Sequence, residues 1–199
     1  MDEVGPLDNP GPLLRWSIDK RYLADLAARG VAIVPTHCCP VGDAPALPDR
    51  PFVIKPTVGA GSVGVARFEP GEQARPMEHL ARLHAAGRVA MIQPYLGAVD
   101  HRGETALAYF AGRFSHAIRK SAILVEGLRM VDGLYAAETI TATVPTVAEL
   151  ALAQAALAAV PGDPPLYARV DMIPGDDGCR ACSSCASDRC SSSTARAPR

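Results

Sequence analysis

The first residues that could do chemistry are a lysine and three glycines between two predicted strands. Lys55 stands in "VIKP", directly before the loop "TVGAGSVGV", which contains Gly59, Gly61 and Gly64. Glycines let a backbone approach a ligand closely, and successive amides in such a loop can bind an anion. The Lys55 ammonium would add a point charge for phosphate. Because a strand rather than a helix follows the glycines, this is neither a Walker A loop nor a dinucleotide fingerprint, and a plain hairpin is the alternative.

A second set of polar side chains lies on a predicted strand near the C-terminus. In "LYARVDMIP", Arg169 and Asp171 are two residues apart and should share one face, while Ala168, Val170 and Met172 should face the core. A cation beside a carboxylate suits a magnesium–phosphate site, because Mg²⁺ takes one or two carboxylates together with phosphate oxygens. An ordinary surface ion pair is the alternative interpretation.

A third candidate lies where one strand connects to the next. The buried stretch "MIQPYL" ends with Gln93, Tyr95 and Leu96, and Glu104 opens the following strand. A carboxylate at such a connection could bind the two hydroxyls of a ribose.

Four cysteines fall within twelve residues near the end of the chain: Cys179, Cys182, Cys185 and Cys190. We call residues 179–199 the cysteine tail, and three interpretations of it stay open. The spacing approximates an iron–sulfur motif, but the last interval is too long and no proline follows. A disordered natural tail is the second interpretation. The third is a frame shift in the gene, because Cys codons read one base earlier encode Leu, Val or Met, the composition of a buried strand.

These side chains need secondary-structure elements to position them. Periodicity and turn residues predict helices at 18–29, 77–86 and 146–160 and strands at 31–35, 51–56, 65–68, 89–96, 134–143 and 166–174. A hairpin is predicted at 104–120, with its turn at 111–113, and "GDDG" at 175–178 predicts another turn. Since the cysteine tail stands where the next strand should be, we expect an exposed edge on strand 166–174. The predicted organisation is an irregular segment at 1–15, a domain at 16–178 and a disordered tail at 179–199.

Composition narrows the function classes. The 199 residues are 48% apolar with a formal net charge of −1, enough for one core or two small ones. No basic run indicates a nucleic-acid binder, and no apolar run is long enough to span a membrane. The acidic, proline-rich start is unlike a signal peptide. We therefore expect a cytoplasmic protein with reduced thiols, the Cys38–Cys39 pair included, and no nucleic-acid or membrane partner; the sequence does not determine the oligomeric state.

Taken in order, these features resemble the ATP-grasp family over roughly residues 14–178. The resemblance rests on Lys20 in "IDKRYL", Lys55, the loop "GAGSVGV", "MIQPYL", Glu104 in "GET" and "ARVDMI". It is strongest to the glutathione synthetase-like branch, which contains cycloserine-forming ligases of actinobacteria. It implies an α+β fold in which two subdomains with antiparallel sheets clasp ATP. It also implies a reaction in which ATP and Mg²⁺ activate a small carboxylate as an acyl phosphate, which an amine then attacks.

The resemblance also implies roles for single residues. Lysines would contact the phosphates, the glycine loop would close over them, the "MIQPYL" stretch would line the adenine slot, and Glu104 would hold the ribose. The implied nucleotide contacts are Lys20, Lys55, Gly59, Gly61, Ser62, Gly64, Gln93, Tyr95, Leu96, Glu104 and Lys120. Arg169 and Arg119 are the implied catalytic residues: Arg169 would neutralise the transferred phosphoryl group, and Arg119 is expected to face the site beside Lys120 and to add positive charge near the phosphates. Asp171 would be a Mg²⁺ ligand. Positioning and charge neutralisation are most of what phosphoryl transfer requires.

The sequence departs from the family pattern at both ends. It begins about fifteen residues before the central subdomain, where the family has a separate N-terminal domain. The cysteine tail replaces the strand that carries the remaining metal ligands of the family. The alternative function is therefore a non-catalytic, truncated or frame-shifted nucleotide-binding remnant. That alternative predicts negligible ligase activity and poor solubility.

Overall fold

The computed structural model describes residues 9–59, 63–121, 139–176 and 178–186. Within them the chain forms five helices and nine strands. The helices are α1 (Gly11–Ile18), α2 (Tyr22–Ala28), α3 (Ala74–Ala85), α4 (Ala98–Arg102) and α5 (Val147–Ala158). The strands are β1 (His37–Cys39), β2 (Phe52–Pro56), β3 (Ala66–Phe68), β4 (Ala90–Pro94), β5 (Glu104–Phe110), β6 (Arg113–Lys120), β7 (Ile140–Thr143), β8 (Tyr167–Pro174) and β9 (Arg180–Ala186). No helix in these ranges is long and apolar enough to cross a membrane.

The first sheet has four antiparallel strands in the order β1-β4-β2-β3. Its core joins Phe52 and Ile54 of β2 to Phe68 of β3 and to Leu80 and Leu83 of α3. In β2 only Lys55 is partly exposed, while the other four residues are buried. Because Phe52 and Ile54 pack against α3 and side chains alternate along a strand, Lys55 lies on the opposite face of this sheet.

The second sheet has five antiparallel strands in the order β7-β6-β5-β8-β9. Leu107 of β5 and Val170 of β8 are fully buried against Leu23 of α2 and Ala153 of α5. Full burial of each such large aliphatic side chain contributes roughly 1.5–3 kcal/mol. This core covers one face of the sheet, so the opposite face of β5, β6 and β8 is available for polar side chains.

The predicted hairpin at 104–120 is confirmed, with a tight turn of two residues. Ala111 and Gly112 both have positive φ, 48° and 73°, between β5 and β6. Two successive residues with positive φ are what a type I′ turn requires, and that turn matches the twist of antiparallel strands. The α+β class with antiparallel sheets is likewise confirmed.

Three local predictions from the sequence are wrong. Residues 11–18 form α1 where an irregular start was expected, because Pro12 can occupy the first turn of a helix. The predicted strand at 31–35 reduces to one parallel bridge between Ile33 and Cys182. The predicted loop at 36–50 contains β1, which adds an edge strand beside β4.

The cysteine tail is not disordered throughout, and β8 does not have a free edge. Residues Arg180–Ala186 form β9, which pairs antiparallel with β8. On its other side, the Cys182 amide donates to the Ala32 carbonyl at 2.9 Å, and the Val34 amide donates to the Cys182 carbonyl at 3.2 Å. The Cys182 side chain is fully buried in the core of the second sheet. Strand β9 thus occupies the position beside β8 where the sequence suggested that a strand was missing, and the small thiol of Cys182 packs into the core.

The iron–sulfur interpretation gains no support from the described residues. Cys38, Cys39, Cys179 and Cys182 are not joined to one another by disulfides, and no group of three or more His, Cys, Asp or Glu side chains among the described residues could hold a metal ion. Residues 187–199, including Cys190, lie outside the described part of the chain.

Candidate active site

The polar face of the second sheet brings four charged side chains together. Strand register places Glu104 of β5 opposite Lys120 of β6, and it places Arg169 and Asp171 of β8 opposite alternate alanines of β5. We call Glu104, Lys120, Arg169 and Asp171 the charged cluster. Because side chains alternate along a strand, all four project from the face that does not carry the main core.

Arg169 and Asp171 form a two-pronged ion pair, as their spacing predicted. Arg169 Nε donates to Asp171 Oδ1 at 2.9 Å, and Arg169 Nη2 donates to Asp171 Oδ2 at 2.8 Å. Asp171 is only 2% exposed. Burial by itself would lower the pKa of Arg169, but the Asp171 carboxylate more than offsets this, so the pKa is raised and the guanidinium stays charged.

Lys120 connects the two carboxylates of the cluster. Its Nζ atom lies 3.1 Å from Glu104 Oε2 and 3.4 Å from Asp171 Oδ1. Burial lowers the pKa of Lys120, but the charges of Glu104 and Asp171 outweigh that effect and raise it. Ser183, on β9, donates its hydroxyl to Glu104 Oε1 at 2.7 Å. Glu104 is therefore held on both oxygens.

Lys55 contributes a cation from the other sheet. Among the described residues no hydrogen bond or ion pair engages its ammonium, although Glu104 and Lys20 lie within electrostatic range. Burial, and next the like charge of Lys20, lower the pKa of Lys55 to about 8. A lysine that has no partner among the described residues is available for an anionic ligand.

The beginning of the glycine loop is anchored by Lys20. Lys20 donates its amide to the Thr57 carbonyl and its ammonium to the Gly59 carbonyl, at 2.9 and 2.8 Å. A Cβ on Gly59 would lie 3.3 Å from the Pro56 ring, and Gly64 has φ of +74°, so both positions favour glycine. Gly61 and Ser62, which the resemblance also assigns to this loop, lie outside the described residues.

The predicted adenine slot contains side chains with structural partners. Gln93 Nε2 donates to Thr36 Oγ1 at 2.7 Å, and Gln93 is 3% exposed. The Tyr95 hydroxyl donates to Asp100, and the Arg67 guanidinium lies 3.9 Å above the Tyr95 ring. Burial, reinforced by Asp100, raises the pKa of Tyr95. The adenine-binding roles of Gln93, Tyr95 and the half-buried Leu96 stay predictions.

Arg119 does not face the charged cluster, and that expectation was wrong. Register places Arg119 opposite Thr105, whereas Lys120 lies opposite Glu104. Consecutive residues of a strand point to opposite faces, so a site can take only one of the two. Arg119 Nε is buried on the face that carries Thr105 and has no hydrogen-bond partner among the described residues.

Two contributors to the site were missed in the sequence. Ser183 lies beside an irregularity in the β8–β9 pairing and reaches Glu104 from there. No signal marked it, because the cysteine tail was expected to be disordered. Arg67 was missed too, although its alternation with buried Ala66 and Phe68 placed it on the open face of β3.

The charged cluster does not fit a magnesium ion as it stands. Both oxygens of Asp171 accept from Arg169, and Glu104 is engaged by Lys120 and Ser183. Mg²⁺ needs oxygen ligands in near-octahedral geometry, and a guanidinium 2.8 Å from the carboxylate takes that space. The metal-ligand role of Asp171 is therefore a prediction from resemblance that the geometry does not support.

Comparison with known proteins gives relatives of one kind, although no family model matches the chain. The cycloserine biosynthesis protein DcsG of Streptomyces lavendulae is 42% identical over 203 aligned residues, covering 89% of this chain and 64% of DcsG. The crystal structure of D-cycloserine synthetase DcsG matches with a TM-score of 0.79 and 36% identity, covering 92% of this chain and 66% of that one. The chain thus spans just under two thirds of these relatives.

More distant solved structures share the fold alone. A D-alanine–D-alanine ligase from Bacillus anthracis matches with a TM-score of 0.64 at 18% identity, covering 86% of this chain and 57% of that one. The ATP-grasp ligase PsnB matches with a TM-score of 0.61 at 17% identity, covering 94% and 58%. The high identity to DcsG, the shared fold and the order of the site residues agree. The chain belongs to the ATP-grasp family.

Proposed function

We propose that this chain binds ATP between its two sheets, in a site of the kind that joins a carboxylate to an amine through an acyl phosphate. One observation carries the proposal. Lys55 of the first sheet lies within electrostatic range of Glu104, which belongs to the charged cluster of the second sheet. An ammonium that has no partner among the described residues, together with a guanidinium, suits a polyphosphate. The sequence identity between this chain and a D-cycloserine synthetase supports an amino acid-like carboxylate or amine as the substrate.

Each side chain has a proposed task in this site. Lys55 and Lys20 bind phosphate oxygens, and the amides of the glycine loop cover them. Arg169 neutralises charge that develops on the transferred phosphoryl group, and Asp171 fixes the guanidinium in its plane. Glu104, held by Lys120 and Ser183, accepts from the ribose hydroxyls. No step is assigned to a metal ion, because the described donors do not fit one.

Calorimetric titration of the chain with ATP tests the proposal. Lys55→Met should weaken ATP binding by about tenfold or more, since one charge-assisted contact contributes about 1.5–3 kcal/mol. Arg113→Met is the matched control, because Arg113 is an exposed cation at the start of β6 beside the hairpin turn. Equal ATP affinity of Lys55→Met and the unmodified chain would show that the phosphate site has been wrongly placed.

The second candidate function is a non-catalytic nucleotide-binding protein. Two observations favour it. Both carboxylates of the charged cluster form ion pairs with protein cations, and the described residues contain no group of three or more His, Cys, Asp or Glu side chains that could hold a metal ion. The two candidates differ in turnover. We expect little or no ADP release from MgATP with a panel of amino acids and small amines. Substrate-dependent ADP release at an ordinary enzymatic rate would support a ligase and reject the non-catalytic nucleotide-binding protein.

A further inference from the structure

We infer that His79, a buried histidine of α3, is a positioning residue that holds the end of the glycine loop at Gly64 in the form that binds a polyphosphate. The inference rests on the proposed ATP-binding function and adds a residue to that site. His79 acts through the backbone of Gly64 and does not itself touch the nucleotide.

His79 contacts the backbone where the glycine loop ends. Its Nε2 atom lies 3.0 Å from the Gly64 carbonyl oxygen, and the residue is only 3% exposed. The centroid of its ring lies 5.8 Å from that of Phe68, which belongs to the core of the first sheet. Because the core fixes the ring, the hydrogen bond transmits that fixed position to Gly64.

The hydrogen-bond partners of the ring determine its protonation state. A carbonyl oxygen only accepts, so Nε2 carries the proton that is donated to Gly64. A guanidinium only donates, and Arg82 Nη2 lies 3.2 Å from Nδ1, so Nδ1 is the acceptor. Burial lowers the pKa of His79 by more than the nearby carbonyls of Gly64 and Ile54 raise it, which agrees with a neutral ring. His79 is therefore a neutral donor in the Nε2–H tautomer.

Both described ends of the glycine loop pack against one proline. A Cβ on Gly59 would lie 3.3 Å from Pro56 Cγ, and a Cβ on Gly64 would lie 3.4 Å from Pro56 Cδ. The Lys20 ammonium donates to the Gly59 carbonyl at 2.8 Å, while His79 donates to the Gly64 carbonyl. One side chain thus fixes each end of the loop. A loop with fixed ends loses less conformational freedom when it binds a ligand, and this favours affinity.

A second histidine of the same helix offers a matched control. His84 Nε2 lies 3.3 Å from the Cys39 carbonyl oxygen, and His84 Nδ1 accepts from the Gly42 amide at 3.4 Å. The two histidines therefore share one pattern of contacts, a carbonyl at Nε2 and a donor at Nδ1. His84 holds the segment that follows β1, whereas His79 holds the glycine loop.

Calorimetric titration with ATP compares three variants with the unmodified 199-residue chain. His79→Phe should raise the dissociation constant about fivefold, the loss expected for one hydrogen bond, because a phenyl ring cannot donate to Gly64. His79→Gln should stay within about twofold, since its amide can donate in place of Nε2–H, and so should His84→Phe. Equal effects of the two phenylalanine variants, or a His79→Gln variant as weak as His79→Phe, would overturn the inference.

Two further measurements complete the test. Urea unfolding shows whether each variant is folded during the titration. If His79→Phe is not, His79→Asn replaces it, because the shorter amide does not reach Gly64, and it should bind ATP as weakly as expected for His79→Phe. Nitrogen-15 NMR of the ligand-free chain at pH 7 should show the Nε2–H tautomer of His79, and an imidazolium or an Nδ1–H tautomer contradicts the inference. An unmodified chain that shows this tautomer but binds no ATP rejects the proposed function, so the two failures are distinguishable.

Discussion

At the scale of single residues, the site is organised by which cations have protein partners and which do not. Lys120 and Arg169 are fixed by carboxylates, whereas no described residue forms a hydrogen bond or ion pair with the Lys55 ammonium. Keeping a lysine charged in a partly desolvated place costs folding free energy, and its lowered pKa measures that cost. Such a cost is typical of a group kept for a ligand.

Lys55→Met should therefore stabilise the nucleotide-free chain near neutral pH. With a pKa of about 8 in the folded chain against an ordinary value of 10.5, both states are protonated at pH 7, and the penalty is on the order of 3 kcal/mol. Between pH 8 and 10.5 only the unfolded chain keeps the proton, so the unmodified protein gains stability as pH rises. The gap to Lys55→Met should shrink accordingly.

Urea unfolding at pH 7 and pH 10 measures this gap, with Arg113→Met as the control that should show no such trend. If Lys55→Met and the unmodified chain unfold at the same urea concentration at pH 7, the lysine is not desolvated.

Ser183→Ala should destabilise the chain, because the hydroxyl donates to a carboxylate in a nearly buried position. Hydrogen bonds to charged groups contribute about 1.5–3 kcal/mol, and we expect a loss of roughly 1–2 kcal/mol because Glu104 keeps Lys120. Ser115→Ala, on the exposed part of β6, should change little. A loss no larger than that of Ser115→Ala, by urea unfolding, argues against the Ser183–Glu104 contact.

At the scale of elements, sequence periodicity predicted what alternation and turn residues determine. The hairpin of β5 and β6, the strand carrying Arg169 and Asp171, and the helix at 146–160 follow from local patterns. Sequence periodicity missed the strands that form through tertiary contacts. Strand β1 pairs with β4 at the edge of the first sheet, and β9 lies between β8 and residues 32–34. Arg119 was misplaced because strand alternation was not applied to adjacent residues, a rule the sequence alone could have supplied.

The burial of Cys182 gives a test of β9. Cys182→Asp would place a carboxylate in the core of the second sheet, which should cost at least about 3 kcal/mol and reduce the soluble fraction. Cys179→Asp, at an exposed position in the preceding turn, should stay within about 0.5 kcal/mol of the unmodified chain. Were both variants equally soluble and equally resistant to urea, the tail would not be a strand.

Helix α5 begins with a reciprocal cap that the sequence analysis did not single out. Thr146 Oγ1 accepts from the Glu149 amide at 3.2 Å, and Glu149 Oε2 accepts from the Thr146 amide at 2.7 Å. Thr146→Ala should cost about 1 kcal/mol, while Thr146→Ser should retain most of the stability because serine caps equally well. Thermal unfolding compares them, and an alanine variant as stable as the serine variant contradicts the cap.

At the scale of the whole molecule, the two sheets are joined around the site by contacts outside their cores. The Ala98 amide, at the start of α4, donates to Asp176 in the turn between β8 and β9 at 2.9 Å. Glu104 lies within electrostatic range of Lys55 on one side and contacts Lys120 on the other. A ligand bound by both sheets would therefore add a further connection between them.

Hydrogen exchange measures whether ATP makes that connection. A polyphosphate held by Lys55 of β2 and Arg169 of β8 should slow amide exchange in both strands together, because it stabilises the folded state only where it is bound. AMP, with a single phosphate, reaches fewer of these cations and should protect both strands less. In Lys55→Met, ATP should protect β2 less than in the unmodified chain. Protection restricted to β2, with β8 unchanged, would mean that the charged cluster is a structural ion-pair network and not part of the nucleotide site.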